Sequence, residues 1–189
     1  MAVMAKAPGF ADVKSRLQPP LTAGEARALA TAFLLDRLDG VVALSGVVPL
    51  LAFTPPAAAP VLRALAPAGV GLLAQRGDGL GERLTCLFDD LLAEHRAALA
   101  LDADSQLSLN QRSLSGIRVV TDADGVLETT LARARALGLR VHLLPRWFDV
   151  DTEADLKKLC DEIAVSGGPR RTAALAPTLA ARLARAVVE

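Results

Sequence analysis

Short apolar runs of strand length alternate along the chain with longer segments in which apolar residues recur every three or four positions, the signature of βαβ units around a largely parallel sheet. Residues 2–4 read as the end of a first strand, and a polar loop over 5–20 follows it. Thr22 with Glu25 makes a capping-box pattern, and Ala26, Leu29, Ala30, Phe33 and Leu34 then share one helical face. The next elements read as a strand at 47–53, a short helix at 60–65 and a strand at 70–74. The glycine-rich turn 77–81 launches a helix to about residue 95, and a fourth strand at 97–101 runs into Asp102, Ala103 and Asp104. Further on come a strand at 117–121, a helix at 126–137, a strand at 140–144 and a helix opened by Thr152 and Asp155. Gly167, Gly168 and Pro169 form a linker before an amphipathic C-terminal helix. The division expected is one domain over 1–166 with a helical extension, 167–189, packed on it.

Composition narrows the picture. With 189 residues the chain is long enough for a sizeable core, and its 21 basic and 21 acidic side chains balance, which fits neither a disordered polyelectrolyte nor a basic nucleic-acid binder. Residues 40–62 carry no charge, but Pro49, Pro55, Pro56 and Pro60 would break a membrane-spanning helix, so no membrane span is expected. The opening MAVMAKAPGF lacks the order of a secretory segment, and Cys86 and Cys160 cannot make a disulfide framework, so a reducing, cytoplasmic setting is expected.

In open α/β sheets ligands bind beyond the carboxyl ends of the strands, and four polar clusters fall there. They are Lys6, Lys14 and Arg16; the turn from Gly77 through Gly81 to Arg83; Asp102 and Asp104; and Asp149 and Asp151. Basic groups and glycines suit phosphate, and carboxylates suit a hard divalent cation bridging it, so together they describe a nucleotide-diphosphate site. Each has a plainer reading as a solvated loop, a tight turn or a helix cap; Asp151 competes with Thr152 for the N-cap of the following helix. His95 near a helix end and His142 in an apolar strand read as structural, and neither has a nearby Cys or Ser partner for a nucleophilic triad.

Set in order, these pieces resemble a bacterial family of glycosyltransferases in the nucleotide-diphospho-sugar transferase superfamily, which has the GT-A fold. MAKAPGFADVKSRL is similar to that family's first-loop motif M-x-K-x-P-x-P-G-x-V-K-T-R-L at Lys6, Pro8, Val13, Lys14, Arg16 and Leu17, with Phe10 and Ala11 in place of Pro-Gly. QRGDGLGERL resembles its Q-x-G-x-x-L-G-E-R-M segment, LDADS its G-S-D-S, and LPRWFDVDTEADL its closing D-V-D-T-x-x-D-L. The resemblance implies a Rossmann-like three-layer α/β/α sandwich and Mg²⁺ or Mn²⁺ as cofactor. It also implies Lys6, Lys14, Arg16, Gly77, Gly81 and Arg83 as nucleotide and phosphate contacts, Asp102, Asp104 and Asp149 as metal ligands, and Asp104 and Asp151 as catalytic carboxylates. The partners it implies are a nucleotide sugar or nucleotide and an unspecified acceptor; a homodimer is compatible with it. Family members continue after the strand-end aspartate with a helix, a strand and a D-G-G-Y-Y-type segment. Here only residues 105–115, rich in Ser, Gln and Asn, precede Gly116, and the chain has no tyrosine. The acceptor side is therefore expected to be reduced, with nucleotide binding kept and sugar transfer poor or absent.

Nucleotidyl transfer on the same fold and a non-catalytic nucleotide-binding domain are the alternatives. A phosphatase of the haloacid dehalogenase type ranks lower, because its nucleophile would normally follow the first strand and Asp102 to Ser105 follow the fourth.

Overall fold

The structure, a computed structural model, describes residues 1–103, 132, 135, 136 and 148–186. Four parallel strands, β1 (Ala2–Lys6), β2 (Leu50–Thr54), β3 (Gly71–Ala74) and β4 (Ala100–Asp102), lie in the order β3-β2-β1-β4. The chain thus builds outward from β1 through β2 to β3 and returns to the other side of β1 for β4. Helices α1 (Ala23–Val42), α2 (Ala59–Leu65), α3 (Leu80–Glu94), α4 (Glu153–Ser166) and α5 (Arg170–Ala186) complete the described elements, with 3₁₀ turns at Ser15–Leu17 and Pro56–Ala58.

The strands are apolar on both faces, as a parallel sheet covered by helices requires. Ala2 and Ala52 pack against Leu87 and Leu91 of α3, while the intervening Val3, Leu51 and Phe53 are buried on the opposite face. Helix α1 buries more residues than one stripe holds, because it packs both on β1 and on α5. Its Ala26, Leu29 and Phe33 join Leu17, Leu21, Val150, Leu156, Leu159 and Leu179 in a second core. The layout is an α/β sandwich with helices on both faces of the sheet.

Local rules explain the element ends. The Thr22 hydroxyl accepts from the Glu25 N–H while the Glu25 carboxylate accepts from the Thr22 N–H at 2.8 Å, and Thr152 with Asp155 repeats the motif at α4. Gly167 and Gly168 both take positive φ, and a Cβ on Gly168 would come within 2.9 Å of Ile163, so the turn out of α4 needs glycine. Pro49 belongs to no strand, and β2 starts at Leu50, later than its apolar run suggests. Strand β4 extends through Asp102, opposite Met4 of β1, so Asp102 is the last strand residue and not the first beyond it.

Chain contacts define two compact units, Met1–Gln106 with Phe148–Glu189, and Leu107–Trp147. The strands expected at 117–121 and 140–144, His142, Asp104 and the short connection 105–115 lie outside the described residues; of the helix expected at 126–137, Ala132, Arg135 and Ala136 are helical. Among the described residues no helix is long and apolar enough to cross a membrane.

Candidate functional site

The strand order reverses between β1 and β4, and that is where a crevice opens at the carboxyl ends of an open sheet. A cavity of about 470 Å³ occupies this position. Lys6 at the end of β1, Lys14 and Arg16 from the loop after it, Arg83 from α3, Asp102 from β4 and Asp151 before α4 all line it. Six of the residues marked in the sequence are therefore brought to one cavity from five separate stretches of chain. Gly77, Gly81 and Asp149 are not among its lining residues, and Asp104 is outside the described region.

The first loop owes its shape to Leu17, which is fully buried in the second core and anchors the 3₁₀ turn. The Leu17 N–H donates to the Lys14 carbonyl at 3.0 Å, and Lys14 takes the left-handed conformation with φ 52°. That backbone is uncommon for a residue with a long side chain. The Lys14 side chain is only 5% exposed: its Nζ lies over the Phe33 ring, 5.7 Å from the centroid, and donates to Asp151 Oδ1 at 2.9 Å. Arg16 is 79% exposed, with its Nη1 4.0 Å from Asp151 Oδ2. Thr152 is the N-cap of α4, so the Asp151 carboxylate faces the two basic side chains and takes no part in capping. Burial raises the Asp155 carboxyl, but hydrogen bonds from the Thr152 hydroxyl and backbone and the Asp151 backbone outweigh it, and the net shift is downward.

The glycine turn ahead of α3 braces itself. Arg83 Nε donates to the Gly77 carbonyl at 2.8 Å, and the Asp78 N–H donates to Glu82 Oε2 at 2.9 Å. Gly77 has φ 109°, and a Cβ there would lie 2.8 Å from Glu82 Cγ, so only glycine fits. Gly79 caps α3 without a side chain, so the cap residue itself offers no oxygen to the first amides of the helix that carries Leu80 and Arg83 into the cavity wall. Such an end favours anions.

Gln75 and Asp12 also line the cavity, although no sequence motif assigns them a role. Gln75, just past β3, donates from Nε2 to the Ala52 carbonyl at 2.7 Å and to that of Ala5 at 3.4 Å, so its amide bridges β1 and β2. It stands in the glycine-turn motif but outside the glycines that drew attention. Asp12 falls at an unspecified position of the first-loop pattern, and only the loop's path brings it to the cavity.

With four cations, Lys6, Lys14, Arg16 and Arg83, against three carboxylates, Asp12, Asp102 and Asp151, the described lining has a slight basic excess. Among the described residues no three potential ligand side chains converge as a self-sufficient metal centre. A hard cation carried by phosphates needs only one or two protein carboxylates, a demand that Asp102 at the strand end can meet.

Fold and crevice together define an α/β protein with a parallel sheet covered by helices and a polar crevice at the carboxyl ends of its strands. The crystal structure at 1.90 Å resolution of a protein from Desulfovibrio desulfuricans, described as a "putative nucleotide-diphospho-sugar transferase", matches it with a TM-score of 0.78 at 22% identity, over 97% of this chain and 96% of that one. No protein-family model matches the chain, and no curated protein matches it by sequence.

Proposed function

We propose that this chain is a transferase acting on a nucleotide-diphospho-sugar, moving the glycosyl group to an acceptor. The observation that carries the reading is the convergence of Lys6, Lys14, Arg16 and Arg83 with Asp102 on one cavity at the point where strand order reverses. In glycosyl transfer the bond between the anomeric carbon and the phosphate oxygen breaks, and negative charge builds on the departing diphosphate. Guanidinium and ammonium groups held around that position stabilise the charge where it develops, and the exposed Arg16 can fork onto two phosphate oxygens. Arg83 is fixed by the turn carbonyls, so its orientation costs little on ligand binding. The residues that would hold Mg²⁺ or Mn²⁺ are Asp102 and Asp104, and a cation bound there supplies Lewis-acid stabilisation of the diphosphate.

The test is a melting-temperature screen against nucleosides, nucleoside diphosphates and nucleotide sugars with and without Mg²⁺ or Mn²⁺, followed by product analysis. A ligand that binds the native state raises the melting temperature. Stabilisation by nucleotide sugars with release of nucleoside diphosphate supports the reading. Release of pyrophosphate from a nucleoside triphosphate would make it a nucleotidyltransferase, and binding without turnover a non-catalytic domain.

A further inference from the structure

We infer that Asp151 is an internal counter-anion seated in the phosphate position between Lys14 and Arg16, and that a ligand phosphate has to displace it. The inference rests on the diphosphate reading of the crevice. Its two carboxylate oxygens divide between the two basic groups, Oδ1 at 2.9 Å from Lys14 Nζ and Oδ2 at 4.0 Å from Arg16 Nη1. The Asp151 carboxylate thus presents to the pair two anionic oxygens, as a phosphate would.

The surroundings determine which partner moves. Lys14 is fixed by its left-handed backbone, by burial and by its place over Phe33. A nearly buried ammonium favours a counter-charge, and Asp151 supplies one at 2.9 Å. The Asp151 side chain is 44% exposed, lines the cavity and is not needed by α4, whose start is secured by Thr152 and Asp155. Asp151 can therefore rotate away without loss to the helix. Arg16, largely in solvent, is equally able to turn toward an incoming anion. When phosphate oxygens approach Lys14, the carboxylate is a like charge at close range and must withdraw.

The test compares pyrophosphate binding by the parent, Asp151→Asn and Arg16→Gln in EDTA, read by calorimetry and by melting temperature. Removing the competing charge should tighten pyrophosphate binding about tenfold in Asp151→Asn, the effect of one unfavourable charge pair near a protein surface. The same variant should melt lower than the parent without ligand and gain more on adding pyrophosphate. If Asp151→Asn does not fold alone, pyrophosphate should restore folding, since it replaces the lost counter-charge; no restoration overturns the inference. Unchanged or weaker binding by Asp151→Asn, with Arg16→Gln still weakened, overturns the inference and leaves the diphosphate site standing. Pyrophosphate binding unaffected by Arg16→Gln overturns both.

Discussion

Two clusters of opposite charge join distant parts of this chain, and they differ in how completely the protein uses them. At the seam between α1 and α5, Asp36 has a side chain 6% exposed and accepts from the Thr172 N–H and hydroxyl, both at 2.8 Å, from the Arg171 N–H at 3.1 Å and from Arg171 Nη1 at 3.4 Å. It caps the first amides of α5 from another helix, with its charge at the favourable end of the helix dipole. At the crevice, Asp151 is 44% exposed and Arg16 is 79% exposed. A saturated polar cluster is architecture. One whose guanidinium still faces water has capacity left for a ligand.

The largest expected effect breaks the first cluster. Asp36→Ala leaves the Arg171 guanidinium short of a partner and two helix amides uncapped, and should cost about 3 kcal/mol, as removing one member of a buried pair does. For a chain of this size that lowers the melting temperature by roughly 10 °C. Pyrophosphate binding by the folded fraction should not change. A variant that melts with the parent would show that the seam owes its stability to the apolar contacts of Leu179 and Phe33 alone.

Arg16→Ala is the reverse case. The side chain is mostly in solvent, so stability should hold, whereas nucleoside diphosphate binding should weaken by about 1.5–3 kcal/mol, the range for a hydrogen bond to a charged group. Nucleoside binding should be unaffected. Calorimetric titration with both ligands checks this, and equal losses for both would place Arg16 in support of the loop and away from phosphate.

The contrast also separates what the sequence discloses from what it hides. Capping boxes at Thr22 and Thr152, the Gly77 turn and the helical face of α1 are legible because their partners lie within a few residues. The strand-end position of Lys6 and Asp102 follows from the alternation of elements. The Asp36 cap on α5 and the pair of Lys14 with Asp151 join residues 135 and 137 positions apart, and no local pattern encodes them. Gln75 and Asp12 enter the cavity through the path of a loop, which propensity does not specify.

Glu25 gives a smaller effect with a defined pH window. The Thr22 N–H, then Arg182 and the Thr22 hydroxyl, bring its carboxyl down from 4.5 to about 2. A folded pKa below the unfolded one means the stabilisation is complete above 4.5 and is lost as pH falls toward 2. Thermal melts should show Glu25→Gln below the parent at neutral pH, with the difference closing across that window. A difference that persists at the acid end would assign the effect to side-chain shape and not to charge.

The smallest effect belongs to Lys157 and Asp161 on α4, whose separation of 2.8 Å nearly equals the 2.9 Å between Lys14 and Asp151. Distance therefore does not rank the two pairs; environment does. Lys157 and Asp161 are 69% and 65% exposed, so water and salt screen their attraction, and fixing two long side chains offsets the remainder. Their order, base before acid at i and i+4, is also the less favourable one on a helix. Lys157→Ala should melt with the parent at low and high salt, whereas Lys14→Ala should melt lower because it strips Asp151 of its buried partner and removes the ammonium over the Phe33 ring. Equal melting temperatures for the two variants would show that burial of Lys14 and its pairing with Asp151 contribute nothing to the stability of the fold.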